Sequence, residues 1–232
     1  MEALNGGDME AEIKIDTLLS KGAEASLFLG SWFGKKALFK YRLPKKYRIS
    51  VLDKEIRNKR TVIEGKALIR VKDYGINVPE VYEINLENST IIMKYIHGEK
   101  LKTLMNSLDR NTKLNYFQEI GRQIALLHIH GHIHGDITTS NIIVTNSKEL
   151  FLIDFGLHEY SDKIENKSVD LHLLKRVLIS SHGEDSIPCF EAFLEGYKGE
   201  YIIQNNNDYQ DIIKNISVIE TRGRYIKKKD RK

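Results

Sequence analysis

Apolar and polar positions alternate with period two through the first third of the chain. The segment "KIDTLLSKGAEASLFLGSWFGKKALFKYRL" predicts three antiparallel strands, with a turn at Phe33-Gly34-Lys35. The next segment, "SVLDKEIRNKRTVIEGKALIRVKDYG", changes to helical spacing. Val62, Ile63, Ala67, Ile69 and Val71 are its expected buried positions, and Gly75 its stop. "VPEVYEINLENSTIIMKYI" returns to strand twice, across a polar turn at Asn88-Ser89. The first lobe is therefore expected to hold five strands and one helix.

After His97-Gly98 helical spacing takes over. "KLKTLMNSL" predicts a helix and "TKLNYFQEIGRQIALLHIHGHI" a longer one. "NIIVTN" and "KELFLIDFG" then read as a hairpin, and "SVDLHLLKRVLISSH", "SIPCFEAFLEGYKG" and "NDYQDIIKNISVIE" as three helices. The pattern predicts an α+β fold with a β-rich first lobe over 13–97 and an α-rich second lobe over 98–221. Residues 1–12 are expected to be a flexible N-terminus, and 222–232 a basic tail unable to form its own core.

Composition adds three points. A chain of 232 residues is long enough for one large domain or two small lobes. No apolar run is long enough to span a bilayer, and "MEALNGGDMEAEIK" has no apolar h-region, so a cytoplasmic protein is expected. The single Cys189 excludes an intrachain disulfide and reads as an apolar filler in "IPCFEAFL".

Charge is unevenly spread. Lys35–Lys72 carries 14 Lys/Arg against 3 Asp/Glu, and Arg222–Lys232 carries 7 against 1. With a total of +4, these stretches of +11 and +6 leave −13 on the rest of the chain. Such patches attract polyanions such as RNA. A solvated Lys-rich face explains the middle stretch equally well. The tail favours an interaction role.

Candidate chemistry concentrates in "HIHGDITTSNIIVTNSKELFLIDFG", His132 to Gly156. Two carboxylates, Asp136 and Asp154, and the amide of Asn141 are brought together by the hairpin. Phosphoryl transfer requires such a set: a carboxylate that orients the acceptor, and hard oxygen ligands for Mg²⁺. Asp136 reads as the base or orienter, and Asn141 and Asp154 as the metal ligands. His128, His130 and His132 alternate at a helix end with poor ligand geometry, and no metal site is assigned to them.

His134-Gly135-Asp136, Asn141 and Asp154-Phe155-Gly156 resemble the catalytic and metal loops of the protein-kinase superfamily. The resemblance implies a minimal two-lobed protein-kinase-like fold. It makes Lys40 the lysine that holds the α- and β-phosphates of ATP, with Glu64 as its partner, Glu55 being the other acid in the helix. It places Gly22 in a degenerate phosphate loop, and the backbone at Lys94, Tyr95 and Ile96 against adenine. Gly135 stands where the superfamily carries an arginine that reads a phosphorylated activation loop. Only thirteen residues separate Gly156 from Asp170, so the peptide-substrate platform is expected to be missing or very short.

The strings "SKGAEA", "KYRLPKKYR", "RTVIEGKAL", "HGDITTSNII", "LIDFGL", "SVDLHLLKR" and "RGR" are together similar to the PRPK-like small atypical kinases, which are similar to the Rio kinases. That family supplies the kinase/ATPase subunit of the KEOPS complex. The resemblance implies Mg-ATP-dependent support of tRNA threonylcarbamoyladenosine formation, with Ser/Thr (auto)phosphorylation capacity. It implies three partners: a TsaD-like tRNA threonylcarbamoyl transferase contacted by the tail, a small KEOPS subunit on the first lobe, and tRNA. The rival readings are a stand-alone Ser/Thr protein kinase, a small-molecule kinase, and a non-catalytic tRNA-binding adaptor.

Overall fold

The computed structural model describes the backbone of residues 13–229 and the side chains of 13–221. The expectation of a flexible N-terminus, and the last three residues of the tail, lie outside the described residues. Backbone contacts divide the chain into two units. Unit 1 takes in the chain through Gly65 and Glu80–Tyr95, and unit 2 takes in Lys66–Pro79 and everything from Ile96. The α+β class and the β-rich and α-rich parts agree with the expectation.

Unit 1 is a five-stranded antiparallel sheet in the order β1-β2-β3-β5-β4. Its strands are β1 (Lys14–Lys21), β2 (Ala25–Trp32), β3 (Lys35–Arg42), β4 (Val81–Asn85) and β5 (Thr90–Lys94). β2 and β3 pair without interruption from Ala25↔Arg42 to Trp32↔Lys35. Their turn puts both Phe33 (φ 46°) and Gly34 (φ 75°) in the left-handed region, as a two-residue hairpin requires. Ala37, Phe39 and Ile92 form a buried cluster, with Phe28, Trp32 and Tyr82 packed against it. Trp32 stacks on Tyr82 with ring centres 4.9 Å apart. β1 is an edge strand with every residue exposed.

The helix α1 (Ser50–Asp73) ends before Gly75, whose φ is 77°. Its phase departs from the expected one. Ala67 and Val71 are buried, but Ile63 is 40% exposed, Ile69 is 46% exposed and Val62 is half-buried. The inward stripe runs through Thr61, Glu64, Leu68 and Val71 instead. A glutamate side chain, Glu64, occupies an inward position, and counting apolar residues alone therefore rotates the helix.

The second stretch of unit 2 begins with β6 (Gly98–Lys100) and α2 (Leu101–Leu104), where one longer helix is expected from the sequence. Then follow α3 (Arg110–Ile129), β7 (His132–Ile133), β8 (Ile142–Thr145), β9 (Leu150–Leu152), β10 (Glu159–Tyr160), α4 (Ile164–Ser181), α5 (Ser186–Ile203) and α6 (Tyr209–Lys229). The Asp109 side chain caps α3 by accepting from Thr112 N at 3.0 Å. α3 and α5 approach at glycines. A Cβ on Gly196 would lie 1.8 Å from the Gln118 carbonyl oxygen, and one on Gly121 2.0 Å from that of Phe193. Phe117, Ile120, Ile124, Phe193, Tyr197 and Leu174 are fully buried around this contact. Cys189 is also buried, and burial pushes its thiol up to about 11, which leaves it an apolar filler. β6, β8 and β9 form one small sheet, and β7 and β10 another.

α6 continues to Lys229, past the expected end of the last helix before Arg222. "RGRYIKKK" contains one glycine and no proline, and basic residue types suit a helix C-terminus. Among the described residues no helix is long and apolar enough to cross a membrane.

Candidate active site

The loop of unit 2 that carries Asp136 is held by its backbone. Asp170 on α4 is 1% exposed, and its carboxylate accepts the N–H of His134 at 2.9 Å and of Gly135 at 3.0 Å. Its Oδ2 also lies 3.2 Å from His128 Nε2, and His128 Nδ1 lies 2.8 Å from the Tyr197 hydroxyl. A carboxylate can be buried when its oxygens are satisfied in this way. Asp170 thus links α3, α4 and α5 to the two residues that precede Asp136.

Gly135 has φ 82°, and a Cβ there would lie 2.5 Å from the Leu157 carbonyl oxygen. Any side chain is excluded, arginine included, on steric grounds as well as conformational ones. His134 is buried, with its ring 4.6 Å from that of Phe155. Burial holds its pKa below the ordinary value, and its Nδ1 accepts the Asp136 N–H at 3.3 Å.

Asp136 is exposed, and Asn141 Nδ2 donates to its Oδ2 at 2.8 Å and to its carbonyl at 3.0 Å. β8 and β9 pair at Ile142↔Leu152, and Ile153 N donates to the Asn141 carbonyl at 2.9 Å. The ladder therefore sets Asp154 one residue beyond the partner of Asn141. Asp154 has φ 65°, a left-handed conformation that Asp tolerates better than most residues and that recurs at functional turns. It is exposed, and its Oδ1 accepts from Gly156 N at 3.2 Å. Phe155, 1% exposed, fixes the turn from within.

After Gly156 the chain turns back at once. β10 pairs antiparallel with β7 through Glu159↔Ile133 and Tyr160↔His132, and α4 begins at Ile164. His132 Nδ1 and His158 Nε2 meet at 2.9 Å in the interior.

In unit 1, Lys40 and Glu64 are buried and joined, Nζ to Oε1, at 2.6 Å. Glu55, the other acid considered for this role, is exposed. Arg42 Nη2 donates to the second Glu64 oxygen, also at 2.6 Å. Gly22 closes the turn from β1 to β2, its N–H donating to the Ala25 carbonyl at 2.9 Å. Lys94 ends β5 and Tyr95 follows it, with amides bonded to the Glu80 and Lys36 carbonyls at 2.8 and 3.3 Å. Ile96, where unit 2 resumes, is buried.

Residues 36–168 match the family model of the RIO domain. This chain belongs to the RIO-domain family. The RIO match covers Lys40, Glu64, Asp136, Asn141 and Asp154, and leaves Gly22 and Asp170 outside. Among curated relatives, the KEOPS complex subunit Bud32 of Pyrococcus abyssi is 42% identical over 214 residues, covering 90% of this chain and 96% of the relative. A probable bifunctional tRNA threonylcarbamoyladenosine biosynthesis protein of Methanobrevibacter smithii is 41% identical over 222 residues, covering 96% of this chain. Its counterpart in Methanocaldococcus jannaschii is 37% identical over 209 residues. This chain spans 39% and 37% of the length of those two bifunctional proteins. As a RIO-domain protein the chain is an atypical member of the kinase superfamily, and its activity is of the kinase/ATPase class.

The donors present in the RIO domain suit Mg²⁺. The Asp154 carboxylate and the Asn141 side-chain oxygen are hard oxygen donors of the kind Mg²⁺ prefers. Among the described residues no cluster of three or more His, Cys, Asp or Glu forms a complete protein cage. Mg²⁺ characteristically takes one or two protein oxygens and completes its shell with phosphate and water. Two residues bonded into these sets do not stand out in the sequence. Asp170 lies inside "SVDLHLLKR", where its helical spacing gives no sign of the loop it holds. Arg42, two positions after Lys40, was not singled out, although residues i and i+2 of a strand share a face.

Proposed function

We propose that this chain is a Mg-ATP-dependent kinase/ATPase that serves as the KEOPS subunit supporting threonylcarbamoyladenosine formation in tRNA, in the cytoplasm. The observation that carries the chemistry is the ordered acidic set of unit 2. Asn141 donates to the Asp136 carboxylate at 2.8 Å, and across the hairpin it is bonded to Ile153, the residue before Asp154. The observation that carries the biology is the 42% identity over 96% of the Pyrococcus relative.

Bound Mg-ATP would supply the transferable phosphoryl group and the charge that neutralises it. The chain's own residues do the rest. Asn141 donates to Asp136 and so aims the carboxylate, which accepts the proton of the attacking hydroxyl or water. Asp154 and Asn141 would hold the metal, and Lys40, held by Glu64, the α- and β-phosphates. Gly22 would border the phosphates, and the backbone at Lys94, Tyr95 and Ile96 the adenine. Asp136 is exposed, and the segment after Gly156 is taken up by β10 and the start of α4. That leaves little chain to grip a peptide, which supports water as the main acceptor and Ser/Thr (auto)phosphorylation as a lesser capacity.

The partners are the TsaD-like threonylcarbamoyl transferase, the small KEOPS subunit on the first lobe, and tRNA through basic patches. The longer relatives named as bifunctional tRNA threonylcarbamoyladenosine biosynthesis proteins support the first. For the third, the middle basic stretch divides in two. Lys40, Arg42, Arg57 and Arg60 are engaged in ion pairs within unit 1, whereas Lys46, Lys54 and Lys59 are exposed. The test is ATP turnover of the chain alone, with the transferase, and with transferase plus tRNA. Turnover that rises with each addition supports the reading. Phosphorylation of unrelated proteins at rates above ATP hydrolysis would favour a stand-alone protein kinase.

A further inference from the structure

Glu64 is held twice. Lys40 and Arg42 lie two residues apart on β3 and share one face of the sheet. Both are buried, at 8% and 3% exposure, and Glu64 is at 1%. Lys40 Nζ donates to Oε1 and Arg42 Nη2 to Oε2, each at 2.6 Å, so both oxygens of one carboxylate are anchored to one strand. Arg42 Nη1 also lies 3.6 Å from Glu24, in the turn that begins at Gly22, and Glu24 accepts from Arg60 of α1 at 2.6 Å. The backbone of Arg42 joins the same system. Its N–H donates to the Ser89 carbonyl at 3.1 Å, and its carbonyl accepts from Arg57 of α1 at 3.4 Å. Arg57 in turn pairs with Asp53 at 2.7 Å and donates to Ser89 Oγ at 2.9 Å.

A glutamate bonded to a lysine alone can leave by rotating its carboxylate toward water, which makes such a pair suitable as a switch. Here rotation would also strip Arg42 of its closest partner, and an unpaired buried charge is strongly disfavoured. The guanidinium is the side chain suited to this task, because its separate nitrogens can face two carboxylates at once. α1 is tied to β3 and its neighbouring turns at Arg57, Arg60 and Glu64, on successive turns of the helix.

We propose that Arg42 is a positioning residue: it keeps Lys40 and Glu64 paired with or without nucleotide, so that α1 is not a regulatory element and the turn bearing Gly22 is tied to the same carboxylate. The proposal rests on the reading of Lys40 as the phosphate-holding lysine. Lys40 is poised before ATP arrives, and binding bears no cost for assembling the pair. This suits a chain in which Gly135 leaves no room for a residue that reads a phosphorylated loop.

The test is a mutant cycle on the full chain, measuring MgATP affinity and turnover together with thermal unfolding. Arg42→Gln is expected to weaken ATP binding about tenfold, as loss of a hydrogen bond to a charged group would. Lys40→Ala is expected to weaken it at least as much. The double variant should bind no worse than Lys40→Ala within about twofold, because two residues acting through one another are not additive. Arg42→Lys keeps one cation but only one donor centre for two carboxylates, and should lose about threefold. If Arg42→Gln fails to fold, Arg42→Lys carries the same cycle. Three results overturn the proposal: a lowered unfolding temperature with unchanged ATP affinity, additive losses in the double variant, or parental affinity in Arg42→Lys. Unchanged affinity in Lys40→Ala would instead remove the underlying reading of the phosphate site.

Discussion

At the scale of single residues, the loop before Asp136 depends on what two neighbours lack and provide. Gly135 lacks a side chain, and its φ of 82° and the Leu157 carbonyl both require that. Gly135→Ala should cost about 1–3 kcal/mol of stability from the strained backbone, measured by urea unfolding. Its ATP turnover should fall at least as clearly, because Asp136 is the next residue. Asp170 provides acceptors for two backbone N–H groups. Asp170→Ala leaves those groups and His128 without their acceptor in the interior, and should cost about 3 kcal/mol or more. A variant as stable as the parent would show that the loop does not hang from α4. Asp136, Asn141 and Asp154 stand out in the sequence as one candidate set by their spacing, and the structure joins Asn141 to Asp136 and pairs Asn141 with the residue before Asp154. Asp170 does not stand out, because a residue thirty-four positions from Asp136 reaches the loop only through the packing of α3 against α5 and of α4 beside them.

At the scale of elements, β10 folded onto β7 creates the buried His132–His158 pair. Burial holds both imidazoles down to about 4, against 6.5 in an unfolded chain. In a neutral pair one ring N–H can donate to the other ring's lone pair, whereas an added proton would set two N–H groups face to face. As the pH falls through 6.5 the unfolded chain takes up protons that the folded pair refuses. Stability should therefore be full above 6.5 and decline steadily toward about 4, as followed by thermal unfolding across that range. His132→Phe combined with His158→Phe should flatten this slope. Longer elements were legible. The strands of unit 1 announced themselves by alternation and by the Phe33-Gly34 turn, and the helices by length. β7 and β10, two residues each, carry no period to read. The face of α1 was misread because Glu64 occupies an inward position through its ion pairs.

At the scale of the whole molecule, each of the two units carries its own set of charged residues. Unit 1 contributes a buried cation pair around one carboxylate, and unit 2 an exposed acidic set on a braced loop. The C-terminal basic stretch lies outside both sets. A chain ending at Thr221 loses the last turns of α6 and should keep its fold and ATP affinity. Its ATP turnover stimulated by transferase and tRNA should drop. The lost tRNA affinity should be the strongly salt-dependent part, measured by titration at several salt concentrations, because it arises from counterion release.

In the proposed function Asp136 and Asp154 divide the chemistry between acceptor and metal, and measuring MgATP binding and turnover of Asp136→Ala and Asp154→Ala side by side separates the two roles. Asp136→Ala should bind MgATP like the parent yet turn it over about 10²-fold more slowly. Asp154→Ala should lose turnover altogether and lose the Mg²⁺-dependence of its ATP binding. Parental turnover in Asp136→Ala, or unchanged Mg²⁺-dependence in Asp154→Ala, would contradict this division.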